Sequence, residues 1–199
     1  MLRLYYADVS NIDLGKEFTL SQYRKKRLET IWQEEKRRQS IGAELLLNKA
    51  LGELYPGFKP PADIILDNNG KPYISSKPLY FSLAHSGNIA ACAVSDNNIG
   101  LDVQIEEAPR EKIMRRVFST RESEYVLLAT DKNHAFTEVW TKKESKVKKS
   151  GAGIGAMLSI VDILDDENIW HAVIDKYHFA ISLEEKAFSE PEMIIKTEL

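Results

Sequence analysis

Between residues 63 and 105 five short apolar runs are punctuated by turn sequences, and this confines the middle of the first half to short strands. The runs are Asp63–Leu66, Lys71–Ile74, Tyr80–Ala84, Ile89–Ser95 and Ile99–Ile105. Asp67-Asn68-Asn69-Gly70 and Asp96-Asn97-Asn98 are strong turn signals, and His85-Ser86-Gly87-Asn88 is a third tight connection.

The flanks of this region are helical. Residues 2–7 read as an opening strand, and residues 21–54 as a helix in two pieces. In the second piece Ile41, Leu45, Leu46, Ala50 and Leu54 recur at helical spacing, and Tyr55-Pro56-Gly57 ends it. The second half repeats the plan. Helices are expected over 110–117, 120–129 and 133–149, with Ser119 or Thr120 capping the second. Strands are expected over 158–164, 169–174 and 177–183. The fold class expected is therefore α/β (α+β), with helices packed on small, mostly antiparallel sheets.

Composition removes several functions. The 199 residues carry 27 Lys+Arg against 30 Asp+Glu, so a nucleic-acid partner is not expected. The basic residues cluster at 22–38 and 142–149, which suits a compact anionic ligand better than a long polyanion. Cys92, the single cysteine, lies in an apolar run and reads as a buried, inert thiol. There is no signal-peptide pattern and no apolar run of membrane-spanning length, so a cytoplasmic protein without membrane contact is expected. Phosphate-loop, dinucleotide-loop, nucleophile-elbow and zinc-spacing motifs are missing. His134, His171 and His178 show no obvious partners and read as structural.

The remaining polar residues fall into small groups. Glu144 and Lys148 are four apart on the helix that contains Trp140–Lys148, and share a face; by spacing alone a solvated ion pair is the commoner origin of such a pattern. Asp102 and Gln104 share one face of the strand Gly100–Ile105, and a carboxylate there suits Mg²⁺, which takes few protein oxygens plus phosphate oxygens. His85 sits in a tight loop where it can donate to a phosphate. Gly70-Lys71-Pro72 reads as a hairpin turn, and Lys25 and Arg38 belong to the basic first-half helices.

In order and spacing these groups resemble the 4'-phosphopantetheinyl transferases, in particular the larger, pseudo-duplicated type (the surfactin-synthetase-activating kind). The resemblance rests on Gly70-Lys71-Pro72, Phe81–Gly87, Gly100–Gln104, Phe118–Glu122, Trp140–Lys148 and Gly151-Ala152-Gly153, across roughly residues 36–154. It implies two similar lobes related by a pseudo-twofold, residues 1–105 and 106–199, with coenzyme A in the cleft between them. It implies transfer of 4'-phosphopantetheine to a serine of an apo acyl- or peptidyl-carrier protein, with release of adenosine 3',5'-bisphosphate. Asp102, Glu144 and Gln104 would ligate Mg²⁺, and Asp102, Glu144 and Lys148 would be the catalytic group. Lys25, Arg38, Lys71, Pro72, His85 and Lys148 would hold coenzyme A. An acidic carrier domain would dock on Arg115-Arg116 and Lys142 or Lys146, and the two-lobed chain would act as a monomer.

Two residues depart from the family pattern. Gln104 stands where relatives have Glu, so an amide oxygen replaces a charged ligand. Ala84 stands where relatives often have Ser, which removes one hydroxyl. Gln104 is the feature that favours a second reading, a non-catalytic coenzyme A or carrier-binding protein of the same fold. A third reading, another Mg²⁺-dependent nucleotide transferase, is disfavoured by the missing phosphate-cradling loop.

Overall fold

The computed structural model describes residues 1–153, 162–184 and 191–199. The elements run β1 (Leu2–Asp8), a 3₁₀ turn (Leu14–Thr19), α1 (Gln22–Leu28), α2 (Glu34–Leu54), β2 (Ile64–Leu66), β3 (Pro72–Ile74), β4 (Tyr80–Ser86), β5 (Ile89–Ser95) and β6 (Gly100–Ile105). Then come α3 (Glu111–Val117), α4 (Thr120–Leu128), α5 (Lys132–Ser150), β7 (Ile169–Ile174), β8 (Tyr177–Ser182) and β9 (Met193–Lys196). No helix among the described residues is long and apolar enough to cross a membrane.

Two small sheets carry the fold, each with one long helix on its outer face. The first has the order β4-β5-β1-β9 and the second β6-β8-β7, while β2 and β3 form a separate hairpin. All pairings are antiparallel except β1 with β9, which is parallel. Strand alternation sends Tyr5, Ala7, Cys92 and Val94 toward Ile41, Leu46, Leu47 and Ala50 of α2. Leu2, Leu4, Ala91 and Ala93 point the opposite way and share a core with Leu101, Val103, Phe179 and Ile181 of the second sheet. The sheets also meet edge to edge. Ser82 Oγ of β4 accepts from the Leu101 amide at 2.8 Å, and Ser86 Oγ from the Ile105 amide at 3.0 Å.

The helix and strand expectations place most elements to within a residue or two. Cys92 is fully buried and unbridged, and burial pushes its thiol pKa up. A capping box starts α4: Ser119 Oγ accepts from the Glu122 amide at 3.1 Å, and Glu122 Oε2 accepts from the Ser119 amide at 2.6 Å. Gly151 ends α5 in the left-handed conformation at φ 70°. Three differences stand out. The strand expected at 158–164 lies mostly outside the described residues, and 162–164 belong to no strand. β9 was not expected. Gly100–Ile105, placed by sequence at the end of the first lobe, pairs with β8 of the second sheet.

Candidate functional site at the junction of the sheets

Gly100, Asp102 and Gln104 lie on the face of β6 that meets α5. The close approach depends on Gly100: a Cβ there would stand 2.0 Å from the Ser145 carbonyl oxygen and 2.3 Å from the Lys149 nitrogen, both helix backbone. With the helix this near, Lys148 Nζ lies 2.7 Å from Asp102 Oδ1, and the Gln104 amide donates to Asp102 Oδ2 at 2.8 Å. The Asp102 side chain is only 4% exposed. Glu144, one turn before Lys148, shares this environment. Burial pushes its carboxyl up to about 7, and the neighbouring Asp102 charge pushes the same way, against Lys148 and Arg110.

Glu144 and Lys148 border a cavity of about 690 Å³. Glu144, Val147 and Lys148 line it from α5; Ser82, Leu83 and His85 from β4; Tyr23, Arg24 and Arg27 from α1; Lys71 and Pro72 from the hairpin; and Gly151 and Gly153 from the loop after α5. Burial pushes His85 down to about 4, helped by Lys148, Arg24 and Arg27, although the residue is partly exposed to solvent, which screens part of that push. At neutral pH this imidazole is uncharged, so it offers an anion an N–H rather than a positive charge.

The family described as "4'-phosphopantetheinyl transferase superfamily" (ACPS) matches residues 98–189, which include β6, α5 and β8. Curated relatives agree. A 4'-phosphopantetheinyl transferase of Bacillus subtilis is 31% identical over 142 residues, 68% of this chain and 62% of that protein. The transferase gsp of Aneurinibacillus migulanus is 29% identical over 160 residues, 77% of this chain and 63% of that protein. The transferase HetI of a Nostoc species is 32% identical over 136 residues, 63% of this chain and 57% of that protein. The chain is thus similar to the 4'-phosphopantetheinyl transferase superfamily. It spans less than two thirds of the length of these relatives.

Within this superfamily frame the structure brings Asp102, Gln104, Glu144 and Lys148 together, with His85 and Pro72 on the wall of the same cavity. Lys25 and Arg38 lie elsewhere. Lys25 borders a different cavity with Glu17 and Arg37, and Arg38 one with Glu35 and Asn88, where its guanidinium lies 3.1 Å from Glu34. Helix phase is the reason. Positions 23, 24 and 27 share the inner face of α1, where Arg24 is held by Glu44 at 3.2 Å, and this turns Lys25 outward. Tyr23, Arg24 and Arg27 were therefore missed; their i, i+3/i+4 spacing was visible, but not which face was inward.

Lys71 borders the cavity, but its ammonium is committed elsewhere. It donates to the carbonyls of Ile99 and Lys149, both at 2.8 Å, and to Asn98 Oδ1. It thus ties the hairpin to the end of α5 and the start of β6, and burial pushes its pKa down to about 8. Two further motif residues form the frame of the site. Lys143 Nζ lies 2.9 Å from Glu122 with both side chains fully buried, joining α4 to α5. Among the basic residues considered for docking, Lys142 pairs with Glu138, Lys146 with Asp166, and Arg115 with Glu111 on the exposed face of α3.

The three histidines read as isolated do have partners. His171 Nε2 lies 3.2 Å from His178 Nδ1, and the other nitrogen of His178 faces Glu106, as does His134. Their spacing in the sequence follows no ligand motif; strand pairing and the approach of α5 bring them together.

Proposed function

We propose that this chain transfers 4'-phosphopantetheine from coenzyme A to a serine hydroxyl of an apo carrier protein, as a Mg²⁺-dependent enzyme that releases adenosine 3',5'-bisphosphate. The observation that carries the reading is the placing of Glu144 and Lys148 on the wall of a cavity also lined by Arg24, Arg27 and His85, with the Asp102 carboxylate held by Lys148 behind them. On this reading the chain is two lobes related by a pseudo-twofold, divided near residue 105, with coenzyme A between them.

The donor set fits a divalent cation. Burial first, and then the neighbouring Asp102 charge, raises the Glu144 pKa; a cation between the two carboxylates relieves both, and oxygen-only ligands match Mg²⁺. Asp102, Glu144 and the Gln104 amide oxygen would hold the ion, which supplies charge neutralisation for the pyrophosphate. The residues do the rest. Glu144, ionised beside the cation, takes the proton from the carrier serine. The serine oxygen forms a bond to the β-phosphorus as the bond to the bridging oxygen breaks. Lys148 neutralises the charge that grows on the leaving phosphate, and His85 donates an N–H to a phosphate oxygen. Arg27 and Arg24 line the cavity and are assigned to the remaining phosphates. Phosphoryl transfer needs mainly positioning and charge neutralisation, which this group of residues supplies.

The test is the intact mass of an apo carrier protein after incubation with the chain, coenzyme A and Mg²⁺. A gain of one phosphopantetheine that EDTA abolishes is expected. Coenzyme A binding without any gain, across acyl- and peptidyl-carrier proteins, would instead favour the non-catalytic binding protein, the reading to which Gln104 lends support.

A further inference from the structure

We propose that Glu106, His134 and His178 form a second divalent-metal site, selective for Zn²⁺ or a similar imidazole-preferring ion, separate from the Asp102–Glu144 cleft. The inference does not depend on the transferase reading. The three residues come from three places in the chain: just past the end of β6, the first turn of α5 and the second position of β8. Their ligand atoms all lie within 4.8 Å of one another. Glu106 Oε2 is 3.5 Å from His178 Nε2 and 3.6 Å from His134 Nδ1. Those separations are long for hydrogen bonds, whose usual range ends near ~3.2 Å. They are close to the edge of a tetrahedron, about 3.3 Å, built on metal–nitrogen bonds of ~2.0–2.1 Å.

The surroundings favour the same reading. The His178 side chain is fully buried, and its Nδ1 is engaged by His171 at 3.2 Å, which leaves Nε2 directed at Glu106. A ring nitrogen held from behind in this way fixes the orientation of a metal-binding imidazole. The His134 side chain is 43% exposed, so an ion has a path from solvent and a fourth position open to water. The groups facing the cluster are mixed in charge: Glu138 and Lys142 pair with each other on α5, next to His171. An imidazole-rich set distinguishes this site from the oxygen-only cleft, which suits Mg²⁺. Its effect would be to fasten the first turn of α5 to β6 and β8, the same helix that carries Glu144 and Lys148 further along.

Untagged protein should bind one Zn²⁺ by equilibrium dialysis in the presence of excess Mg²⁺. Co²⁺ in its place should give the visible absorption of a tetrahedral site. His134→Gln changes a half-exposed side chain, so the fold should survive, and it should weaken Zn²⁺ binding more than ~100-fold; a change at the supporting His171 should cost ~10–100-fold. Asp102→Asn and Glu144→Gln should leave Zn²⁺ binding unchanged. The proposal is overturned if wild-type protein binds no Zn²⁺ under Mg²⁺, if folded His134→Gln binds as wild type does, or if the cleft variants abolish binding.

Discussion

Lys148 Nζ lies 2.7 Å from Asp102 Oδ1, and the Gln104 amide occupies the other oxygen of the same carboxylate. In the free chain Asp102 is thus paired with one positive charge and hydrogen-bonded by one neutral amide, both of which would have to share it with a cation. Removing the carboxylate takes a ligand from the cation and the ion-pair partner from Lys148. Asp102→Ala and Glu144→Ala should each lower kcat for carrier modification by at least ~10²-fold, as loss of a preorganised charge does. Steady-state kinetics on a purified carrier will measure this, and near-normal turnover in either variant would show the site to be misassigned.

Gln104→Glu should increase affinity for Mg²⁺, since it adds a third carboxylate oxygen donor beside Asp102 and Glu144. Without metal the same change replaces a hydrogen-bond donor to Asp102 with a like charge, so the metal-free protein should melt at lower temperature. Thermal unfolding with and without Mg²⁺ tests both signs at once; a large loss of metal binding would show that Gln104 has a role of its own.

Gly100→Ala should separate β6 from α5, because the added carbon meets backbone atoms of the helix that cannot rotate away. Overpacking of this kind costs about 1–3 kcal/mol, and rigid backbone on the far side puts this case at the upper end. Urea unfolding will measure it. Unchanged stability would mean that the strand and helix are not held so close in solution.

The buried Glu122–Lys143 pair predicts a large, one-sided effect. Glu122→Ala removes a buried partner of Lys143 and the acceptor of the Ser119 and Ile163 amides. A loss of about 3–5 kcal/mol is expected, as for other broken buried pairs. Chemical denaturation is the measurement; a loss below ~1 kcal/mol would show the lysine to be hydrated.

His85 should make the fold acid-sensitive. Its pKa in the folded chain lies below its ordinary value of 6.5, so the unfolded chain binds the proton more readily. The stability it contributes is fully present above about pH 6.5 and is lost as pH falls toward the folded value near 4. Comparing urea midpoints at neutral and mildly acidic pH for wild type and His85→Asn tests this: the variant should show a smaller drop, and equal drops would rule out His85 as the source.

Much of the fold was legible because turn residues mark the strand ends from β2 to β6 and a 3.6-residue period marks α2. The acid–lysine cluster was legible because its members occupy short stretches of β6 and α5. What sequence could not give was the packing phase. Seven basic residues lie between 22 and 38, and which of them line the cavity is decided by the contact of Arg24 with Glu44, twenty residues away. The Glu106–histidine cluster was hidden for a similar reason, since β6–β8 pairing and the seating of α5 create it. β9 is a four-residue run whose partner is β1, at the opposite end of the sequence.

That parallel pairing of β1 with β9 affects how the protein is made. Residues 193–196, which hydrogen-bond to one edge of residues 2–8, are made almost two hundred residues after them. Until they emerge, β1 can pair with β5 but keeps one side open, a row of unsatisfied amides and carbonyls able to pair with another nascent chain. The sheet beneath the cleft is therefore completed late, and chaperone demand should track the delay between making its first strand and its last.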